Sequence, residues 1–183
     1  MSVISLEQLL KARDERCSKQ KKLLEAFPGR TLVCLTVQLP GPVKRSRNSL
    51  IVGGAGLAAL LDRFGSVLSH VQVRDLPSGY EAYLLLHLPA VAVKRICCEI
   101  EQTHPLGRLM DIDVLTLEDG SPVPLDRSSL GLGERTCLLC PQPARYCMRA
   151  RTHSLEELLG KIETMINEYS ECQTFTDNSP GSR

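Results

Sequence analysis

Asp111 and Asp113 stand in the run Met110-Asp111-Ile112-Asp113-Val114, acid alternating with apolar. On a β-strand alternate side chains share a face, so both carboxylates point the same way with Cα atoms roughly 6.5 Å apart, two rises of about 3.3 Å. Two carboxylates placed like this lose solvation and repel each other, which a divalent cation relieves. Magnesium, a hard ion that takes carboxylate and phosphate oxygens, is the natural candidate, held singly or as a pair roughly 3.5–4 Å apart. The bland counterpart is an edge strand with one solvated face. Gly107-Arg108 just upstream, and basic segments elsewhere, favour phosphoryl-type chemistry.

Two further stretches carry chemistry. Val43-Lys44-Arg45-Ser46-Arg47-Asn48 puts three cations on a loop leaving a strand. Lysine as a point charge and arginine through its fork can clamp phosphates, though a charge run of this kind is also the ordinary pattern of a solvated loop. Between Arg135 and His153, Cys137-x-x-Cys140, Cys147 and His153 are the donors of a tetrahedral Cys3His zinc site. The gaps of six and five residues fit no common finger, so a redox pair and small residues packing a turn stay open beside zinc. Arg135, Arg145, Arg149 and Arg151 face only Glu134 in that segment, a local basic surface suited to a polyphosphate or an acidic protein.

The elements that must position these residues follow from periodicity. Ser5-Leu6-Glu7-Gln8 reads as a capping box opening a helix to about Ala26, with Leu6, Leu9, Leu10, Cys17 and Leu24 on one face. Thr31 to Gln38 is a strand and Ser49 to Arg63 a helix. Gly54-Ala55-Gly56-Leu57-Ala58-Ala59 in that helix matches a loose dinucleotide pattern but lacks the preceding strand, so close helix packing is the better reading. Ser66–Arg74 and Tyr80–Leu88 form a hairpin, and Pro89 opens a helix to about Gln102. The Asp-Ile-Asp strand ends near Glu118-Asp119-Gly120, and a loop runs from Ser121 to Gly133. A last helix is capped at Ser154 with the stripe Leu155, Leu158, Leu159, Ile162, Met165 and Ile166. The expected fold is α+β: a single domain over residues 1–172 with a mixed β-sheet and flanking helices, then a disordered polar tail over 173–183.

At 183 residues and a formal charge of +1, the chain suits one well-buried domain with no bulk attraction to nucleic acid or membrane. No apolar run reads as long as a membrane span, and the charged N-terminal stretch is not of the signal-peptide kind, so a cytoplasmic setting is expected. In a reducing compartment the eight cysteines serve packing, metal or substrate, and Cys34, Cys97 and Cys98 sit in apolar runs as core residues.

Val37-Gln38-Leu39-Pro40-Gly41-Pro42-Val43-Lys44, then Gly107-Arg108-Leu109-Met110-Asp111-Ile112-Asp113-Val114, then the Cys137-to-His153 segment occur in that order. Together they resemble the apo-citrate lyase phosphoribosyl-dephospho-CoA transferase family, also called holo-citrate lyase acyl-carrier-protein synthase, from about Leu6 to Tyr169. The resemblance implies transfer of a phosphoribosyl-dephospho-CoA group from triphosphoribosyl-dephospho-CoA to a serine of the apo acyl carrier subunit of citrate lyase, with diphosphate leaving. On that reading Asp111 and Asp113 hold magnesium across the donor's triphosphate. Lys44, Arg45, Gly107 and Arg108 meet the polyphosphate, and Arg127, Arg135 and Arg149 meet the nucleotide or the carrier. The Asp-x-Asp strand is also similar to that of polymerase-β-like nucleotidyltransferases. The usual Gly-Ser turn is absent, and Glu81, Glu118 and Asp126 compete as third carboxylate. The rival readings are a nucleotidyltransferase using an ordinary nucleoside triphosphate on another acceptor, and a non-catalytic zinc-stabilised interaction module.

Overall fold

The computed structural model describes residues 3–177. Helix α1 (Leu6–Ala26) opens on a reciprocal capping box, Gln8 N–H donating to Ser5 Oγ and Ser5 N–H to Gln8 Oε1 at 3.2 and 2.9 Å. Strand β1 (Thr31–Val37) leads through the Pro-Gly-Pro loop to α2 (Arg47–Phe64), which Ser46 and Ser49 cap in the same way. The hairpin β2 (Leu68–Leu76) and β3 (Gly79–Leu86) follows, then α3 (Ala90–Thr103) and β4 (Met110–Glu118). A short β5 (Ser121–Pro124), a seven-residue α4 (Ala144–Ala150) and the long α5 (Leu155–Asp177) complete the chain.

The strands form one sheet in the order β2-β3-β1-β4-β5. The α+β expectation holds, but every pairing is antiparallel, where a mixed sheet was expected. The crossover through α3 does return the chain in the direction of β3. It lands β4 on the far side of β1, so the two parallel-running strands never pair.

Alternation then sorts side chains to two faces. Val33, Leu35, Ala82, Leu84, Leu86, Met110, Ile112 and Val114 bury against α2, α3 and α5, including Val52, Phe64, Val93, Cys97, Ile162 and Ile166. On the other face Leu32, Cys34, Tyr83, Leu85 and Leu115 meet Leu23 and Leu24 of α1. Only the C-terminal half of α1 packs there. Leu6 and Leu10, expected inward, are 72% and 53% exposed, because the apolar rows beneath the helix give way to polar ones.

The glycines of α2 are explained by contact. A Cβ on Gly53 would lie 2.4 Å from the Tyr80 ring, and one on Gly56 3.0 Å from Leu35, so the helix rides directly on the sheet. Arg47–Val67 is long and apolar enough to cross a membrane by length and composition, contrary to the sequence reading. Its inner face is nonetheless buried, with Val52, Leu60 and Phe64 fully covered, as in a core helix.

Two boundaries differ from expectation. The chain reverses into β5 at Asp119-Gly120, whose φ angles of 47° and 72° make the left-handed two-residue turn that an Asp-Gly pair favours. Helix α5 continues to Asp177, so the first residues of the expected disordered tail are helical, while 178–183 lie outside the described residues.

Candidate functional site

Asp111 and Asp113 alternate with the buried Met110, Ile112 and Val114, and so project from the α1 face of the sheet. The register sets Asp113 beside Cys34 and Asp111 beside Thr36. Beyond Thr36 in the same row lies Glu81, which is tied to Arg16, Arg74 and the Tyr83 hydroxyl at 3.1, 3.4 and 2.5 Å. Burial raises the Asp113 carboxyl above its ordinary range, and the charge of Asp111 adds to it, against the pull of Lys94.

The outer edge of β4 explains why a cavity forms here. Strand β5 pairs only from Leu115 outward, and the last ladder contact is Leu125 N–H to the Val114 carbonyl at 2.8 Å. Further back along the edge, side chains replace a strand. Lys94 Nζ donates to the Ile112 carbonyl at 3.0 Å and Glu101 Oε1 accepts from Ile112 N–H at 2.9 Å. Arg135 donates to the Met110 carbonyl at 3.1 Å. Lys94 and Glu101 are seven residues apart and share one face of α3, so both reach the single residue between the two aspartates. Where β5 departs, a cavity of about 540 Å³ opens, lined by Asp111, Asp113, Asp126, Arg127, Arg135 and Arg145 among others. Its volume is that of a small-molecule site.

The predicted residues fall into three groups. Asp111, Asp113, Arg127 and Arg135 converge on the cavity. Arg135 stands 3.6 Å from Asp111, and both arginines pair with the buried Glu101. Lys44, Arg45, Arg108 and Arg149 do not line it. Lys44 donates to the Leu39 carbonyl at 2.6 Å, and Arg45 forks onto Asp75 at 2.7 and 2.6 Å beside the β2–β3 turn, across the sheet from β4's outer edge. Arg108 donates to the Thr136 carbonyl and Arg149 is exposed on α4. Gly107 is a packing residue: a Cβ there would sit 2.5 and 2.7 Å from the carbonyl oxygens of Ile100 and Glu101, so only glycine lets the turn after α3 close against its end. Of the third-carboxylate candidates Asp126 alone lines the cavity, following directly on the last β5 contact. Glu118 instead accepts from Thr116 at the far end of β4.

The sequence reading missed Glu101 and Lys94 as partners of the acid strand. Their only signal was a glutamate and a lysine on the helix face that otherwise carries Val93, Cys97 and Ile100 into the core. Arg145 was read as part of a basic segment without being placed at the site.

The third group is Cys137, Cys140, Cys147 and His153, whose donor atoms all lie within 4.8 Å of one another. A small hairpin brings them together: Thr136 bridges Pro143, Cys137 N–H donates to the Gln142 carbonyl at 2.6 Å, and Ala144 N–H to that of Arg135 at 2.8 Å. Helix α4 then presents Cys147, and a left-handed Arg151 (φ 49°) turns the chain so that His153 faces back. Cys140 Sγ lies 3.5 Å from Cys147 Sγ and 3.3 Å from His153 Nε2. Tetrahedral zinc with Zn–S of about 2.3 Å and Zn–N of about 2.0 Å asks for edges of roughly 3.5–3.8 Å, a few tenths away. Burial acts to raise the Cys137 thiol, but hydrogen bonds from the backbone N–H groups of Leu139 and Cys140 and from the Cys147 and Cys140 thiols together bring it down to about 7. These four donors are close enough together to hold one metal ion. His104, three residues before Gly107, is structural: Nδ1 accepts from Leu106 N–H at 3.0 Å and its ring lies against Tyr169.

Residues 4–169 match the family described as apo-citrate lyase phosphoribosyl-dephospho-CoA transferase. The chain belongs to that family. Among named relatives, the apo-citrate lyase phosphoribosyl-dephospho-CoA transferase of Escherichia coli O1:K1 / APEC is 39% identical over 172 residues, covering 92% of each chain. A Streptococcus pyogenes protein (serotype M18, strain MGAS8232) named "probable apo-citrate lyase phosphoribosyl-dephospho-CoA transferase" is 36% identical over 167 residues, covering 91% of this chain and 87% of its own. Membership in this transferase family spans the cavity and the Cys3His cluster alike, so both belong to one matched unit.

Proposed function

We propose that the chain transfers the phosphoribosyl-dephospho-CoA group of triphosphoribosyl-dephospho-CoA to a serine hydroxyl of the apo acyl carrier subunit of citrate lyase. The serine oxygen attacks the α-phosphorus, the bond from that phosphorus to the bridging oxygen breaks, and diphosphate leaves while the serine proton passes to solvent. The observation that carries this reading is the convergence of Asp111, Asp113 and Asp126 with Arg127, Arg135 and Arg145 on one cavity. Carboxylates able to hold a hard cation stand beside guanidiniums able to take phosphate oxygens, which is what a polyphosphate ester requires.

Asp111 and Asp113, with Asp126 as third carboxylate, fit magnesium by donor type and by the raised carboxyl of Asp113. When bound, magnesium neutralises charge developing on the attacking and leaving oxygens. Arg127, Arg135 and Arg145 orient the triphosphate and stabilise negative charge on the departing diphosphate. Lys44, Arg45, Arg108 and Arg149 lie off the cavity and are left to the rest of the donor or the carrier protein. Cys137, Cys140, Cys147 and His153 would hold zinc, and a donor set made entirely of side chains would give it a structural rather than a chemical role.

The test is intact-mass analysis of the apo carrier subunit incubated with the protein, the donor and magnesium, beside an Asp111→Asn plus Asp113→Asn protein. The expected result is a carrier that gains the prosthetic-group mass with wild type only. Modification by both proteins would remove the aspartates from the chemistry. Modification by neither, with transfer from an ordinary nucleoside triphosphate, would replace the donor. Metal analysis of the purified protein is expected to give one zinc per chain, lost in Cys140→Ser.

A further inference from the structure

Glu101 is 4% exposed, yet it is the most heavily engaged carboxylate at the site. Oε1 accepts from Ile112 N–H at 2.9 Å and from Arg135, and Oε2 accepts from Arg127 at 2.8 Å. Three donors, two of them cationic, use most of what a carboxylate can accept. So surrounded, Glu101 is a poor metal ligand, although it lines the same cavity as the aspartates. It is placed by the rigid end of α3, against which Gly107 packs closer than any side chain would allow.

What it opposes is a crowd of like charges. Burial lowers the Arg108 guanidinium below its ordinary range and the charges of Arg135 and Arg127 lower it further, with Glu101 pulling the other way. Without a central anion these arginines would repel one another and swing toward solvent. With it, two cations share one negative charge and keep a positive surplus facing the cavity. Arg127 also has a buried Nε with no partner among the described residues.

We propose that Glu101 is the positioning residue of the polyphosphate site: it ties Arg127 and Arg135 to the strand that carries the aspartates, at the spacing the donor's phosphates meet. It touches no reacting atom. Its contribution is preorganisation, so it acts on donor binding more than on the chemical step. A buried anion also weakens the pull on a phosphate, so an inhibitory Glu101 would lower donor KM when neutralised. The sign of the kinetic effect decides between them.

The inference rests on the transferase reading, and the experiment separates the two. Steady-state transfer is measured for wild type, Glu101→Gln, Arg127→Gln and the double variant, with donor KM, kcat and half-saturating magnesium taken for each. In parallel, inorganic tripolyphosphate is titrated in a thermal-shift assay that needs no substrate. Glu101→Gln is expected to raise donor KM at least tenfold with kcat within about threefold, to leave half-saturating magnesium unchanged, and to abolish most of the tripolyphosphate shift. The double variant should be little worse than the worse single one, because Glu101 acts through Arg127 and Arg135. A fall in KM, an additive double variant, or a loss of kcat with a raised magnesium requirement overturns the proposal. If Glu101→Gln does not fold, Arg127→Gln and Arg135→Gln carry the test, and an unchanged KM and tripolyphosphate shift in both overturns it. Wild type that binds tripolyphosphate but modifies no carrier sinks the transferase reading and leaves the positioning role standing.

Discussion

Burial raises the Asp113 carboxyl above the usual carboxylate range, and the neighbouring Asp111 charge raises it further. A raised folded-state pKa means that the folded chain binds this proton more tightly than the unfolded chain does. The stability gained is full below the unfolded value of about 3.9 and is lost as pH rises through the folded value. At neutral pH the ionised carboxylate is therefore a net cost to stability, which Lys94 offsets in part and a bound cation would offset further. Asp113→Asn should melt at a higher temperature than wild type in magnesium-free buffer at neutral pH, with the gap narrowing as pH falls through the raised folded value and closed below about 4. Magnesium should raise the melting temperature of wild type and not of the variant. A wild type more stable than the variant at neutral pH without metal would refute a destabilised acid pair. The two aspartates were legible in the sequence because alternation on one strand fixes their common face. Glu101 was not, because its partners Ile112, Arg127 and Arg135 lie 11, 26 and 34 residues away and only the fold brings them together.

Among the elements, α2 tests how much of the fold is close packing. Gly53 and Gly54 are neighbours in the same helix interior with opposite surroundings: the Tyr80 ring 2.4 Å from an added Cβ at Gly53, and nothing within 4 Å at Gly54. Alanine is favoured over glycine in a helix by about 0.8–1 kcal/mol, so Gly54→Ala should stabilise by up to that amount. Gly53→Ala gains the same propensity but must displace a ring held between helix and sheet, and overpacking of this kind costs about 1–3 kcal/mol. Denaturant melts should therefore separate the two variants by sign, and equal stabilisation by both would mean that α2 does not seat on Tyr80. The preference for helix packing over a dinucleotide loop was readable from what precedes the glycines. The hairpin into β5 was also written, as Asp119-Gly120, but its strand is four residues long with two prolines and has no apolar alternation to announce it. Such a strand survives at a sheet edge, where a missing N–H costs little. The inward face assigned to α1 held at Leu24 and failed at Leu6, Leu9, Leu10 and Cys17 for a different reason: periodicity says which side of a helix is apolar and not how far the sheet beneath extends.

Across the whole molecule the two halves of the site are held by different means. The aspartates stand on a strand buried in the sheet, whereas Arg135 and Arg145 belong to a segment stitched by one short hairpin, a seven-residue helix and the Cys3His cluster. That segment contributes just one buried residue, Cys147, between Arg135 and His153, too little apolar burial to order nineteen residues against backbone entropy of about 1–2 kcal/mol each. A metal bound by three thiolates and an imidazole would supply the missing free energy, as zinc does in other small modules. Stripping zinc with a chelator should therefore accelerate hydrogen exchange across 135–153 while β1 and β3 keep their protection. Donor KM should rise, since Arg135 and Arg145 then lose their place at the cavity wall, and returning zinc should restore it. Exchange unchanged after the metal has left would show that the hairpin stands without it. Collapse of protection in the sheet as well would make the cluster part of the global fold rather than a clamp on one wall of the site. The expected pattern, local loosening with weakened donor binding, places a structural metal in control of phosphate recognition without placing it in the reaction.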